Sequence, residues 1–252
     1  MSGGMYVNGF DTGLIGVTVT NVVGATAKFA PRTRKVYGRA GLVRTTVVPE
    51  VEPRTLTVGV VVRGATPAAM EANLSLLAGL FLADVNVSFE TTQDRYLRCV
   101  LTTLTIAPHT GPQFVNTTTG AVLSLTAIDP YWQDASVVMN SFNTVAVAMV
   151  LGTAPSTPLL RISGAATDPV VTYRDAAGNA KQTLGLTITL AATDYLDIDC
   201  DTMTIQKSVS GTVTDALSTL ASGDFLVLDP ADAPTLEVDS GTGKAFYRRG
   251  WL

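Results

Sequence analysis

The residues that could do chemistry are few, and the densest group is "DYLDIDCD", which holds Asp194, Asp197, Asp199 and Asp201. Successive side chains of a strand point to opposite faces, so Asp197, Asp199 and Asp201 would share one face while Leu196, Ile198 and Cys200 take the other. Three close carboxylates could hold calcium, a hard cation that takes oxygen ligands, although the glycine turn and the glutamate of a helical calcium loop are missing. Paired aspartates are also what a glycoside hydrolase would use. The plainer reading is a wetted strand face whose charge resists unwanted edge pairing. The single histidine, His109, lies in "APHTGPQ", a loop by composition with no nucleophile signature beside it. A histidine base or a histidine-rich metal site is therefore not expected. No Walker-type phosphate loop and no cysteine pair at zinc spacing occurs. Cys99 and Cys200 stand far apart inside strand-like segments, which suits buried apolar side chains better than a disulfide. These residues predict no enzyme and no cofactor.

A second concentration of charge is "KFAPRTRKVYGRAGLVR", residues 28 to 44, with Lys28, Arg32, Arg34, Lys35, Arg39 and Arg44 and no acidic residue. Phe29 and Tyr37 are interleaved with them, a pattern that can grip a nucleic-acid backbone. The whole chain is acidic, however, at −4. A contact with an acidic neighbouring subunit or partner is the favoured reading, ahead of an ordinary solvated loop and of direct nucleic-acid binding. Charge is unevenly spread, with ten basic and nine acidic groups up to residue 147 and seven and twelve beyond it.

The elements that must position these groups are mostly strands. At 252 residues, 46% hydrophobic and 15% charged, the chain has ample material for one large or two ordinary cores, and disorder is excluded. No apolar run approaches a bilayer span, and "MSGGMYVNGF" lacks the pattern of a signal peptide, so the chain reads as soluble and made in the cytoplasm. In "RTLTVGVVVR", Leu56, Val58, Val60 and Val62 share one parity. In "YLRCVLTTLTI", Leu97, Cys99 and Leu101 share a face and Leu104 and Ile106 take the other, which predicts a bulge or a sheet switch near Thr102. "AVLSLTAI" alternates in the same way. One strong helix is expected in "TPAAMEANLSLLAGLFL", with Thr66 as cap, Pro67 in the first turn, and Met70, Leu74, Leu77 and Phe81 at helical spacing over a sheet. Periodicity fades in "QDASVVMNSFN", and a domain boundary is expected there. Beyond it, "TVAVAMV", "LLRISG", "PVVTYRD", "LGLTITLA", "YLDIDCD", "MTIQKSV", "DFLVLD" and "TLEVDSG" read as short strands between turn signals, which suggests a β-sandwich or jelly roll.

Read together, these landmarks resemble the distal tail protein family of long-tailed, siphovirus-like bacteriophages and related tail-like particles. The matching features are "GFDTGLIG", "GRAGLV" ahead of "RTLTVGVVV", the single helix, "YLRCVLTTLTI" and "LTAIDPYW". The second half adds "LGTAPSTPLLRISG", "PVVTY", "DYLDIDCD", "SGDFLVL" and "YRRGWL". The resemblance implies a mainly β chain of two domains. Residues 1–135 would be a ring-forming, tail-tube-like β domain with one α-helix, and residues 136–252 a galectin-like β-sandwich. It implies a virion protein at the distal tail or baseplate, forming a ring, expected to be hexameric, that joins the tail tube to the tip hub and leaves a channel for DNA. The implied partners are other copies of the chain, the tail tube protein, the tip hub protein, and receptor-binding or side-fibre proteins, with DNA only in transit and no membrane insertion. The basic stretch from Gly24 to Pro53 would be an intersubunit arm. The alternative function is a carbohydrate-binding module attaching to a host-surface glycan, although the second half offers few aromatics for a sugar platform.

In "AIDPYW", Pro130 cannot donate to a strand ladder and ends it, and Tyr131 and Trp132 after Asp129 can fold back over the apolar edge. Asp129, Pro130, Tyr131 and Trp132 are thus expected to form a domain-closing corner. Trp251, after the freely turning Gly250, is expected to do the same for the second domain.

Overall fold

The computed structural model describes residues 3–25, 53–106 and 117–252, together with the backbone of four short strands between 29 and 51. The chain gathers into two compact units, Met1–Trp132 with Leu252, and Gln133–Trp251.

The first unit is one antiparallel sheet of β1 (Met5–Val7), β2 (Phe10–Asp11), β3 (Val17–Val23), β4 (Thr55–Arg63), β5 (Val85–Phe89), β6 (Arg95–Ile106) and β7 (Thr118–Ala127). Their order is β2-β1-β5-β6-β7-β4-β3. Alternation decides which face is buried: Leu56, Val58, Val60 and Val62 of β4 pack inward with Leu123 and Leu125 of β7. The sheet rolls up on this face. The Val19 N–H of the edge strand β3 donates to the Gly3 carbonyl at 3.2 Å, just ahead of β1 near the opposite end of the sheet. The register of β6 on β7 shifts between Leu101 and Thr103, and the Thr102 hydroxyl donates to the Ser124 carbonyl at 2.8 Å. The parity change in the sequence is therefore a bulge. Gly24, at φ +90°, passes so close to Thr55 that a Cβ there would lie 2.0 Å from its carbonyl oxygen.

Helix α1 (Pro67–Gly79) begins where the Thr66 side chain accepts from the Ala69 N–H, and Pro67 costs little there because the N–H that proline lacks would have no intrahelical partner at the first position. Met70, Leu77 and Phe81 are buried and Leu74 is half-buried. The apolar stripe is thus the face laid on the sheet. No described helix is long and apolar enough to cross a membrane.

The second unit is a pair of sheets over one core. Strands β8 (Val138–Phe142), β9 (Val147–Ala148), β10 (Leu159–Ser163), β11 (Val170–Arg174), β12 (Ala180–Leu186), β13 (Tyr195–Asp199), β14 (Thr204–Val209), β15 (Thr212–Asp215), β16 (Leu220–Gly223), β17 (Thr235–Val238) and β18 (Thr242–Tyr247) build it. One sheet runs β8-β18-β10-β13-β14-β15 and the other β9-β17-β11-β12-β16. Leu160, Ile162, Leu196 and Ile198 of the first share a buried cluster with Val171, Tyr173, Leu184 and Leu236 of the second. Phe142 lies opposite Gly243 in the register, and a Cβ on that glycine would fall 2.3 Å from the ring, so the ring occupies the space a side chain would need.

Three expected strands are reduced or broken, the first being "LGLTITLA", which stops at Leu186 and pairs again only as Thr189–Leu190 with Ala166–Thr167. Of "TVAVAMV" only Val147–Ala148 pairs. "DFLVLD" makes a single bridge, Leu228 to Ser156, although Phe225, Leu226 and Leu228 are buried. The physical reason is local competition: the Asp224 carboxylate takes the Phe225 N–H, and the Gln182 side chain takes the Val227 N–H.

Candidate functional site

The acidic strand is β13. Leu196 and Ile198 are buried while Asp197 and Asp199 lie on the other face, as the period of two requires. Each carboxylate has its own partner. Asp197 receives a two-pronged contact from Arg161 of β10, Nε at 2.6 Å and Nη2 at 2.7 Å. These bonds hold the guanidinium charged. Asp199 accepts from the Asp201 and Thr202 N–H groups and so caps the turn after the strand. Asp201 accepts from the Thr157 hydroxyl, and Asp194 from the Ala191 N–H. Among the described residues no three acidic, histidine or cysteine side chains converge as a metal site would. Arg161 also lies 4.2 Å from the centroid of the Tyr195 ring, so one face of that ring is covered by a cation.

The described part of the basic stretch is backbone only. Phe29–Ala30 pairs with Glu50–Val51, and Thr33–Lys35 with Leu42–Arg44, all antiparallel. The second pair is thus nested in sequence within the first. The side chains of Lys28, Arg32, Arg34, Lys35, Arg39 and Arg44 lie outside the described residues, as does His109. The residues that flank the stretch are described. The Ala25 carbonyl accepts from Arg54 Nη1 at 2.9 Å and from Trp132 Nε1 at 3.3 Å, so its two ends are tied together. Arg54 is only 4% exposed, and among the described residues its Nε and Nη2 have no hydrogen-bond partner.

Trp132 is buried at 9% exposure and meets Phe89 edge to face, with centroids 6.3 Å apart. Asp129, Pro130 and Tyr131 are half-buried between the end of β7 and Trp132. Trp251 is placed differently: it is half-buried, and its Nε1 donates to Asp134 at 2.6 Å. Asp134 was not legible as a functional residue. Its carboxylate, 6% exposed, also accepts from Arg249 Nε at 2.6 Å, and its N–H donates to the Arg249 carbonyl at 3.0 Å. Arg248 Nη1 donates to the carbonyls of Asp134 and Ala135. The available signal was the opposite charge of "QDAS" and "YRRGW", two segments with no sequence proximity to link them.

A rolled antiparallel sheet carrying one helix, followed by a two-sheet β unit, is an architecture shared with hub and baseplate proteins of phage tails. Over 99% of both chains it is similar to the Dit (gp 19.1) protein of phage SPP1, described as a paradigm of the hub adsorption apparatus in phages that infect Gram-positive bacteria, with a TM-score of 0.78 at 19% identity. It is also similar to a chain of the phage P2 baseplate in its activated conformation. That structure with calcium gives a TM-score of 0.63 at 10% identity, covering 99% of this chain and 98% of that one. The same baseplate with strontium gives 0.64 at 10% identity, covering 98% of each. No family model and no curated protein matches the chain in sequence. The mainly β fold implied by the sequence motifs is the fold found.

Proposed function

We propose that the chain is a structural protein of a phage-like tail tip, a non-enzymatic ring at the distal end of the tail that joins the tube to the hub and leaves a channel for DNA. The observation that carries this reading is likeness along the whole chain: 99% of both this chain and the SPP1 hub protein is matched, so both units are matched and not one common β motif. The ring is expected to be hexameric, with the first unit as its wall and the second as a galectin-like sandwich that holds other tail proteins. The basic stretch from Gly24 to Pro53 is the intersubunit arm. Its support is local: the stretch is anchored where the Ala25 carbonyl is held by Arg54 and Trp132.

The test is light scattering with negative-stain images of the purified full chain, beside an arm variant carrying Arg34→Glu and Arg39→Glu. Closed rings of one size for the natural chain, lost in the variant, are expected. A chain that remains monomeric at every concentration, or rings untouched by the charge reversal, would overturn the ring or the arm respectively.

A further inference from the structure

From Ala135 through Leu160 no residue is charged. That stretch contains both strands on one side of the second unit, β8 at the edge of its six-stranded sheet and β9 at the edge of the other. Asn140 ties the two together, its amide donating to the Ala148 carbonyl and the Tyr247 hydroxyl. Four large apolar side chains stand out of this side: Val137, Met139, Val145 and Val150, each at least half exposed and Val145 at 68%.

Folded proteins blunt the open edges of sheets by shortness, charge, proline or bulges. Among the described edges of this unit, β9 has two residues. Strand β15 carries Asp215, and β16 ends on a left-handed Gly223 beside a register shift. Only β8 has no such guard. It holds five residues in unbroken register with β18, with no charge and no proline.

We propose that β8 pairs antiparallel with the β8 of a second copy of this chain, joining two six-stranded sheets edge to edge. The occupant follows from self-complementarity. A strand with no charge meets no like charge opposite itself in any register of self-pairing, and its exposed Met139 finds in a second copy an apolar strand of the same kind. The contact is isologous, so each copy supplies the same strand edge and the same exposed Met139. Met139 ends a row that continues through Phe246 and Leu159 on the outer face, so pairing would extend an apolar row already begun.

The test is hydrogen exchange on the full chain at low and high concentration, with sedimentation of the natural chain, Met139→Lys and Val145→Lys. Concentration should protect the amides of residues 138–142 and leave those of 212–215 unchanged. Met139→Lys, at a position 55% exposed and tolerant of lysine in the folded monomer, should weaken this association by about tenfold or more. Val145→Lys should weaken it in the same direction. Equal exchange at both concentrations, equal protection of both edges, or association indifferent to Met139→Lys would overturn the pairing. Ring closure by the first unit would protect first-unit amides and survive Met139→Lys, so the two proposals fail separately.

Discussion

At the scale of single residues, the clearest forced choice is Gly243. Because the Phe142 ring occupies the place of its missing Cβ, Gly243→Ala must displace a buried aromatic and should cost about 1–3 kcal/mol, read as a lower midpoint in urea. Asp134 is the complementary case, a buried carboxylate that satisfies two donors, Arg249 and Trp251, from the segment after β18. Asp134→Ala leaves Arg249 and the Trp251 N–H without it and should cost about 2–3 kcal/mol. The buried thiols give the pH prediction. Burial pushes both Cys99 and Cys200 up to about 12 from 9.0, opposed at Cys99 by Arg54. A raised folded-state value means that the neutral thiol is the form the fold accepts. The stability tied to it is complete below about 9, where unfolded thiols are protonated, and is lost as pH climbs toward about 12. Burial, then the bond to Asp232, raises the Tyr173 phenol in the same direction. Melting temperatures should therefore fall steadily from pH 9 to pH 11, and less so for Cys200→Ala than for the natural chain. A flat profile would show that these side chains are not sealed from water.

Elements follow from the sequence where periodicity is long and uninterrupted. Strands β4 and β7 and helix α1 lie where their patterns put them, because nine to thirteen residues of consistent spacing outweigh local competitors. Thr66→Ala should destabilise the first unit by about 1 kcal/mol, since the Ala69 N–H loses its acceptor. The pattern misled at "DFLVLD", where burial persists but side chains rather than a neighbouring strand take the backbone donors. Hydrophobicity reports burial, and a ladder needs a free backbone as well. Contacts between distant segments were the other illegible class. Nothing near "DYLDIDCD" announces that Arg161 will claim Asp197, and nothing near "QDAS" announces Arg249 and Trp251. Those pairs depend on sheet order, which only the complete topology supplies.

At the scale of the whole molecule, two compact units with separate cores should unfold in two calorimetric steps. Trp132→Ala, which empties a site between Phe89 and Ala25, should lower the first-unit step by about 3–5 kcal/mol and leave the other in place. Gly243→Ala should do the reverse, and a single transition shifted by both would show that the cores are coupled. The pinning of Asp134 to Arg249 has a further consequence. The second unit enters and leaves at one point, Asp134 near its start and Arg249 near its end joined by a backbone hydrogen bond of 3.0 Å. A unit with adjoining ends is a cassette: it can be excised and spliced into a surface loop of an unrelated carrier without stretching either chain. The sandwich can then be carried to a new scaffold by a single insertion.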